Sequence, residues 1–337
     1  MGQKNFDDNV QQFKLNRDYN GLHKLIRGCH EYQKHQIAKA LEEIGDEKAM
    51  ETLAKIITDR PTEFGRIAST SLSKMTNKAN VVKYALLAYE NGIKKGMAKS
   101  SVDGVNLKES VKLVINSLGE KAVGPLLDIL TTEGYTESIL ISELLPLCVT
   151  NNSIELLKDK LLYPDWWIRE IITKNLLLLK WEPSTTEEKV AVLISRLNWK
   201  ELEKLGEQAV KYITESMDIN DRRLIKRKPN IINVIGKIGS PLATESLIIS
   251  LNNKSYPKQT INALGFLGDP KAVSPIMNYV KGLSSFSILL HSSMYIKSLT
   301  NIGNPAIKEL NPFLKDSNKN VRKIAQKTLK RLKYQTY

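Results

Sequence analysis

Apolar residues recur along this chain at steps of three and four. In "FLKDSNKNVRKIAQKTLKRL", residues 313–332, Leu314, Val321, Ala325, Leu329 and Leu332 share one helical face, the stripe of a helix packed against neighbours. The stretch "LLYPDWWIREIITKNLLLLKW", residues 161–181, repeats that layout: Leu161, Asp165, Ile168, Arg169, Ile172, Leu176 and Leu179 stand where the other copy has Leu314, Asn318, Val321, Arg322, Ala325, Leu329 and Leu332. A third copy in "IITDRPTEFGRIASTSL" places Ile57, Pro61, Phe64, Gly65, Ala68 and Leu72 at the same steps.

Between these stripes a short punctuation mark returns: an aliphatic residue, a glycine, a small polar or acidic residue, then a new amphipathic run. It occurs in "EIGDEKAM", "SLGEKAVGPLL", "KLGEQAVKYI", "KIGSPLATESL", "FLGDPKAVSPI" and "NIGNPAIKEL", with glycines at 45, 119, 206, 239, 268 and 303. Glycine closes a helix in the left-handed conformation, the next residue caps the following helix, and Pro241, Pro270 and Pro305 suit a first turn that needs no N–H. The last three intervals are 33, 29 and 35 residues, the first is 74, and the 87 between 119 and 206 holds two units plus an insertion. Two helices per period of 30 to 40 residues predict an all-α chain, a right-handed α-α superhelix or α-solenoid of about eight to nine helix pairs.

Composition agrees with helices, since aromatics make up only 7%. Cys29 and Cys148 lie far apart in helix-like sequence, which excludes a disulfide framework or a cysteine-based zinc site. The start "MGQKNFDDNV" lacks an apolar signal region, Phe6 stands where a myristoylation signal has Ser or Thr, and no run reaches the roughly 18 apolar residues of a membrane span. The expectation is a cytoplasmic protein with no membrane association. Charge is lopsided: residues 211–337 carry 21 Lys and Arg against 7 Asp and Glu, the whole of the net +14, and the rest of the chain is balanced.

The segments "LGEKAVGPLLDIL", "FLGDPKAVSPIMNYV" and "LKDSNKNVRKIAQKTL" resemble HEAT repeats, in particular the short HEAT-like repeats of prokaryotic proteins related to phycobilin lyase subunits. The similarity runs well over 115–333 and loosely from residue 20, with 77–104 departing from it. It implies one HEAT-like solenoid: divergent repeats over 1–114, regular repeats over 115–179, an inserted turn and helix over 180–203, and basic repeats over 204–337. Thr185 with Glu188 and Asn198 with Glu201 are capping-box pairs within the insertion. Such folds present a surface to another macromolecule, so the resemblance implies a non-catalytic scaffold with a protein partner.

Chemistries known on related folds narrow the field. HEAT-like deoxyhypusine hydroxylases hold two irons with several His-Glu dipeptides; this chain has four histidines and one such dipeptide, His30-Glu31, too few ligands for that site. Nothing specifies a bilin pocket, and no cofactor or metal is expected. HEAT-like DNA glycosylases combine a basic face, tryptophans and one acid; Asp165, Trp166, Trp167 and Arg169 supply those types, although Asp165 already serves as a helix cap. Trp166, Trp167 and Arg169 are the candidate partner-binding group, because Trp167 aligns with polar Asn320 and an exposed indole marks a binding surface. The more economical explanation is that both indoles fill an irregular junction. Arg222, Arg223, Lys226, Arg227 and Lys228 fall within seven positions, and Lys319, Lys323, Lys327 and Lys330 form a cationic stripe. Either would attract nucleic acid or an acidic protein segment, the terminal stripe serving equally as the polar face of a capping repeat.

Overall fold

Each glycine of the punctuation mark sits at positive φ, for example 71° at both Gly45 and Gly268, where a side chain would be strained. The chain therefore turns sharply and restarts. Asp46 accepts a hydrogen bond from the Ala49 amide (2.9 Å) and Asp269 from that of Lys271 (2.9 Å), satisfying donors that have no intrahelical partner. The expected helix starts differ in one respect. After Gly239 and Gly268 the chain first makes a 3-10 turn, Pro241–Ala243 or Pro270–Ala272, before the α-helix proper. The tighter bonds, such as Ala272 N–H to Asp269 C=O (3.1 Å), hold the proline in the first turn.

A computed structural model describes residues 3–97, 101–132, 135–217 and 227–334. They are helical throughout, with no strand among them, and no helix is long and apolar enough to cross a membrane. The chain divides into two packing units: Met1–Lys160 with Lys174–Trp181, and Leu161–Thr173 with Glu182–Tyr337.

The first unit contains α1 (Gln3–Leu15), α2 (Tyr19–Lys24), α3 (Glu31–Ile44), α4 (Glu47–Asp59), α5 (Glu63–Lys74), α6 (Lys78–Lys94), α7 (Val102–Leu118), α8 (Val123–Thr132), α9 (Tyr135–Leu144) and most of α10 (Ile154–Leu161). Helices α1, α3, α5 and α7 pack successively in one layer, and α2, α4, α6 and α8 in a second. Within 77–104, where the sequence pattern lapses, the described residues include α6 and the start of α7, ordinary members of these layers. Thr58 ties neighbours in one layer together, its hydroxyl reaching Ala54 C=O in its own helix (3.0 Å) and Ala88 C=O in α6 (2.9 Å).

Helix α11 (Trp166–Leu178) gives its first residues to the second unit. That unit continues with α12 (Thr186–Ser195), α13 (Trp199–Lys204), α14 (Val210–Met217), α15 (Lys228–Ile238), α16 (Thr244–Asn252), α17 (Pro257–Leu267), α18 (Val273–Lys281), α19 (Ser285–Asn301), α20 (Ala306–Leu310) and α21 (Lys319–Tyr334). One layer runs α13, α15, α17, α19, α21, and α16, α18 and α20 stack beside it. The segment read as an insertion supplies α12 and α13, which pack against α14 and α15 as a regular helix pair. The Thr185–Glu188 capping box forms in full, whereas of the second pair only the Asn198 side chain accepts, from the Glu201 amide.

Within the α15–α17–α19 layer the contacts are nearly backbone on backbone. A Cβ added at Gly236 would lie 2.9 Å from the Ala263 Cα, and one at Gly265 would lie 2.6 Å from the Ser298 carbonyl oxygen. These separations are below any real Cβ contact, so glycine sets the spacing of three helices.

Candidate partner-binding surface

The start of α11 is built from within the second unit. Asp165 caps it, accepting from the Trp167 amide (2.7 Å). Trp166 points inward, is 1% exposed, and belongs to the same apolar cluster as Val190, Ile194, Leu202 and Ile231. Arg169 is 7% exposed. Its guanidinium stacks 4.7 Å from the Trp166 ring, donating through Nε to Tyr163 C=O (2.5 Å) and through Nη2 to Leu162 C=O (3.0 Å). Burial pulls its pKa down to about 10, with Glu187 opposing the fall.

This arrangement explains the recurrent arginine. On α21, Arg322 Nη1 donates to Asp316 C=O (2.7 Å) and Ser317 C=O (2.9 Å), so both arginines reach back and close the loop before their own helix. The expected docking role of Trp166 and Arg169 meets a physical obstacle: one is interior and the other is occupied by backbone carbonyls. Trp167 is half-buried. Asp165, the acid a glycosylase reading would need, is occupied in capping.

The basic cluster is only partly described. Arg222, Arg223 and Lys226 lie outside the described residues. Arg227 is directed inward: it pairs with Glu170 (2.7 Å) and approaches the Trp166 ring at 5.9 Å. Lys228 opens α15 and is half-buried. On α21, by contrast, Lys319, Lys323 and Lys327 are exposed and form no ion pair among the described residues, while Val321, Ile324, Leu329 and Leu332 are buried on the other face. Among the described residues no group of three or more His, Cys, Asp or Glu is placed to hold a metal ion.

A further concavity of the second unit lies elsewhere. A groove of about 330 Å³ crosses α13, α15 and α17, lined by Trp199, Asn230, Asn233, Lys237, Asn262 and Phe266. Phe266 is 57% exposed, an uncommon state for phenylalanine. The side chains of Asn230 and Asn233 are exposed and make no hydrogen bond among the described residues. Asn262 Oδ1 accepts from Ser298 Oγ (3.0 Å), which fixes the amide and leaves its N–H groups to the groove. Lys237 pairs with Glu203 (2.9 Å).

The groove asparagines did not stand out in the sequence, yet a signal was present. "NVIGKIG" (233–239) and "NALGFLG" (262–268) are one motif, with an asparagine six residues before the closing glycine and the packing glycine three before it. The same place in α19 is Lys297, six residues before Gly303. In unit one, a hollow of about 650 Å³ along α3, α5 and α7 is lined by charges of both signs, including Glu31, Lys39, Glu63 and Arg66, and has no comparable pairing of amides with aromatics. No family model matches the chain, and a search of curated proteins finds no match.

Proposed function

We propose that this chain is a non-catalytic, cytoplasmic adaptor, each unit a stretch of right-handed HEAT-like α-solenoid, and that it binds a protein partner through the second unit. The observation that carries the reading is the groove across α13, α15 and α17. Two aromatic side chains, Trp199 and Phe266, flank amides that have hydrogen-bonding capacity to spare. Aromatic anchors beside convergent polar groups suit recognition of another chain. The two-layer packing of each unit, with its repeated glycine positions, and the arginine repeated within the second unit support the solenoid assignment.

A second reading is favoured by one observation, the unpaired Lys319, Lys323 and Lys327 on α21: an anionic polymer such as RNA or DNA would gain by displacing counterions there. Affinity purification of the tagged full-length chain, split into nuclease-treated and untreated halves, separates the two. A stoichiometric protein retained after nuclease supports the adaptor. Recovery of nucleic acid, with proteins lost on digestion, refutes it.

A further inference from the structure

We propose that the groove across α13, α15 and α17 holds an extended polypeptide segment of the partner, one that carries an apolar side chain followed by acidic residues. The inference rests on the adaptor reading and names its ligand.

Three properties point to this occupant. The carboxamides of Asn230 and Asn233 present a donor and an acceptor side by side, the same pair an extended backbone offers along its edge, and Asn262, whose oxygen accepts from Ser298, offers N–H groups to a backbone carbonyl. Asn233 and Asn262 occupy the same register on adjacent helices. Close glycine packing brings those helices to the short end of helix spacing, about 8 Å, near the roughly 6.7 Å covered by two residues of extended chain. One segment crossing α15 and α17 therefore meets both amides along one edge, with Asn230 offering a third group. Side chains on that segment pack against Trp199 and Phe266.

Charge sets the rest of the ligand. Inside the groove Lys237 is matched by Glu203, so the floor carries little net charge. A neutral floor suits a peptide backbone, and it suits a nucleic-acid strand with a phosphate at every residue poorly. Beyond the groove the register position becomes Lys297, which is exposed and forms no ion pair among the described residues. It adjoins Ser298, whose hydroxyl is bonded to Asn262. Next along the layer comes α21 with Lys323 and Lys327. A segment leaving the groove in that direction meets uncompensated cations, which select carboxylates.

The test is selection of a random twelve-residue peptide library on the immobilised full-length chain, followed by fluorescence anisotropy with the enriched peptides and, separately, with a fluorescein-labelled oligouridylate. The expected result is enrichment of an apolar-then-acidic pattern. Binding should fall more than tenfold in the Asn233→Ala/Asn262→Ala double variant with an unchanged thermal melt. Lys297→Glu should weaken the acidic peptides selectively, and N-methylation of the peptide backbone should abolish binding. Peptides that bind equally well to the double variant would overturn the groove assignment while leaving the adaptor reading intact. Failure of any peptide to enrich would likewise overturn it, the purification experiment then deciding the adaptor reading alone. Oligouridylate binding that is lost in the double variant, with no peptide enriched, would overturn both.

Discussion

Arg169 offers a quantitative test of the loop-clamp role. Its two hydrogen bonds to Tyr163 and Leu162 carbonyls involve a charged donor and are worth about 2 kcal/mol each. The stacking on Trp166 at 4.7 Å adds about 1 kcal/mol. Against these stands the cost of burying the charge: a fall from 12.5 to about 10 corresponds to about 3 kcal/mol. Arg169→Leu, which removes charge and bonds but keeps apolar bulk, should therefore destabilise the second unit by about 2 kcal/mol. Arg169→Ala also leaves a void beneath the indole, raising the loss to about 3–4 kcal/mol. Arg322→Ala removes an equivalent pair of bonds on a more exposed side chain and should cost about 1 kcal/mol. Urea titration followed by tryptophan fluorescence suits the comparison, because Trp166, Trp167 and Trp199 belong to the second unit. An Arg169→Ala variant within 0.5 kcal/mol of the parent, or an equal effect at Arg322, would refute the clamp.

Other outcomes follow from the same geometry. Gly265→Leu should destabilise by more than about 3 kcal/mol, since even a Cβ lies 2.6 Å from the Ser298 carbonyl oxygen; thermal melts by circular dichroism check it. Asp46 caps α4 and also accepts from Tyr19 Oη (2.5 Å) and Arg17 Nη1 (3.2 Å), so Asp46→Ala should cost about 2 kcal/mol and Asp46→Asn about half that, read from urea midpoints. Burial raises Cys148 from 9.0, and Tyr84 and Tyr295 from 10.0, each to about 12, with Glu47 adding to the effect at Tyr84. The folded chain keeps these protons while the unfolded chain releases them. Stability should therefore hold below pH 9 and fall as pH rises toward 12, by up to about 1.4 kcal/mol per pH unit for each group; Tyr84→Phe should flatten the decline.

Helix faces and turns were legible because they obey local rules. The stripe Val321, Ala325, Leu329, Leu332 is buried as its spacing requires, and the glycines at 45 and 268 take the positive φ that a sharp restart requires. The recurrent arginine was visible as a pattern, but its meaning was not, since Arg169 acts on carbonyls six and seven residues upstream and on a ring in its own first turn. Which of the two tryptophans enters the core was not legible for a related reason: adjacent tryptophans on a helix face about 100° apart, and only tertiary packing decides between them. Residues 180–203 departed from the repeat pattern, yet α12 and α13 pack as an ordinary pair because layers depend on burying a face more than on keeping a motif. The groove escaped notice because asparagine on a helix surface is unremarkable singly; its significance lies in the register of Asn233 against Asn262, which requires that α15 and α17 be neighbours.

The glycine contacts between α15, α17 and α19 also determine how the groove responds to a ligand. Where long side chains separate helices, rotamer changes let the helices slide and a binding surface adapts to several shapes. Here Gly236 meets the Ala263 backbone and Gly265 meets that of Ser298, so little side-chain freedom remains to absorb a shift. The helix positions that carry Asn233 and Asn262 are accordingly held at a set separation before any ligand arrives, which limits the backbone adjustment that binding requires and makes the surface a ruler that rejects segments of the wrong repeat.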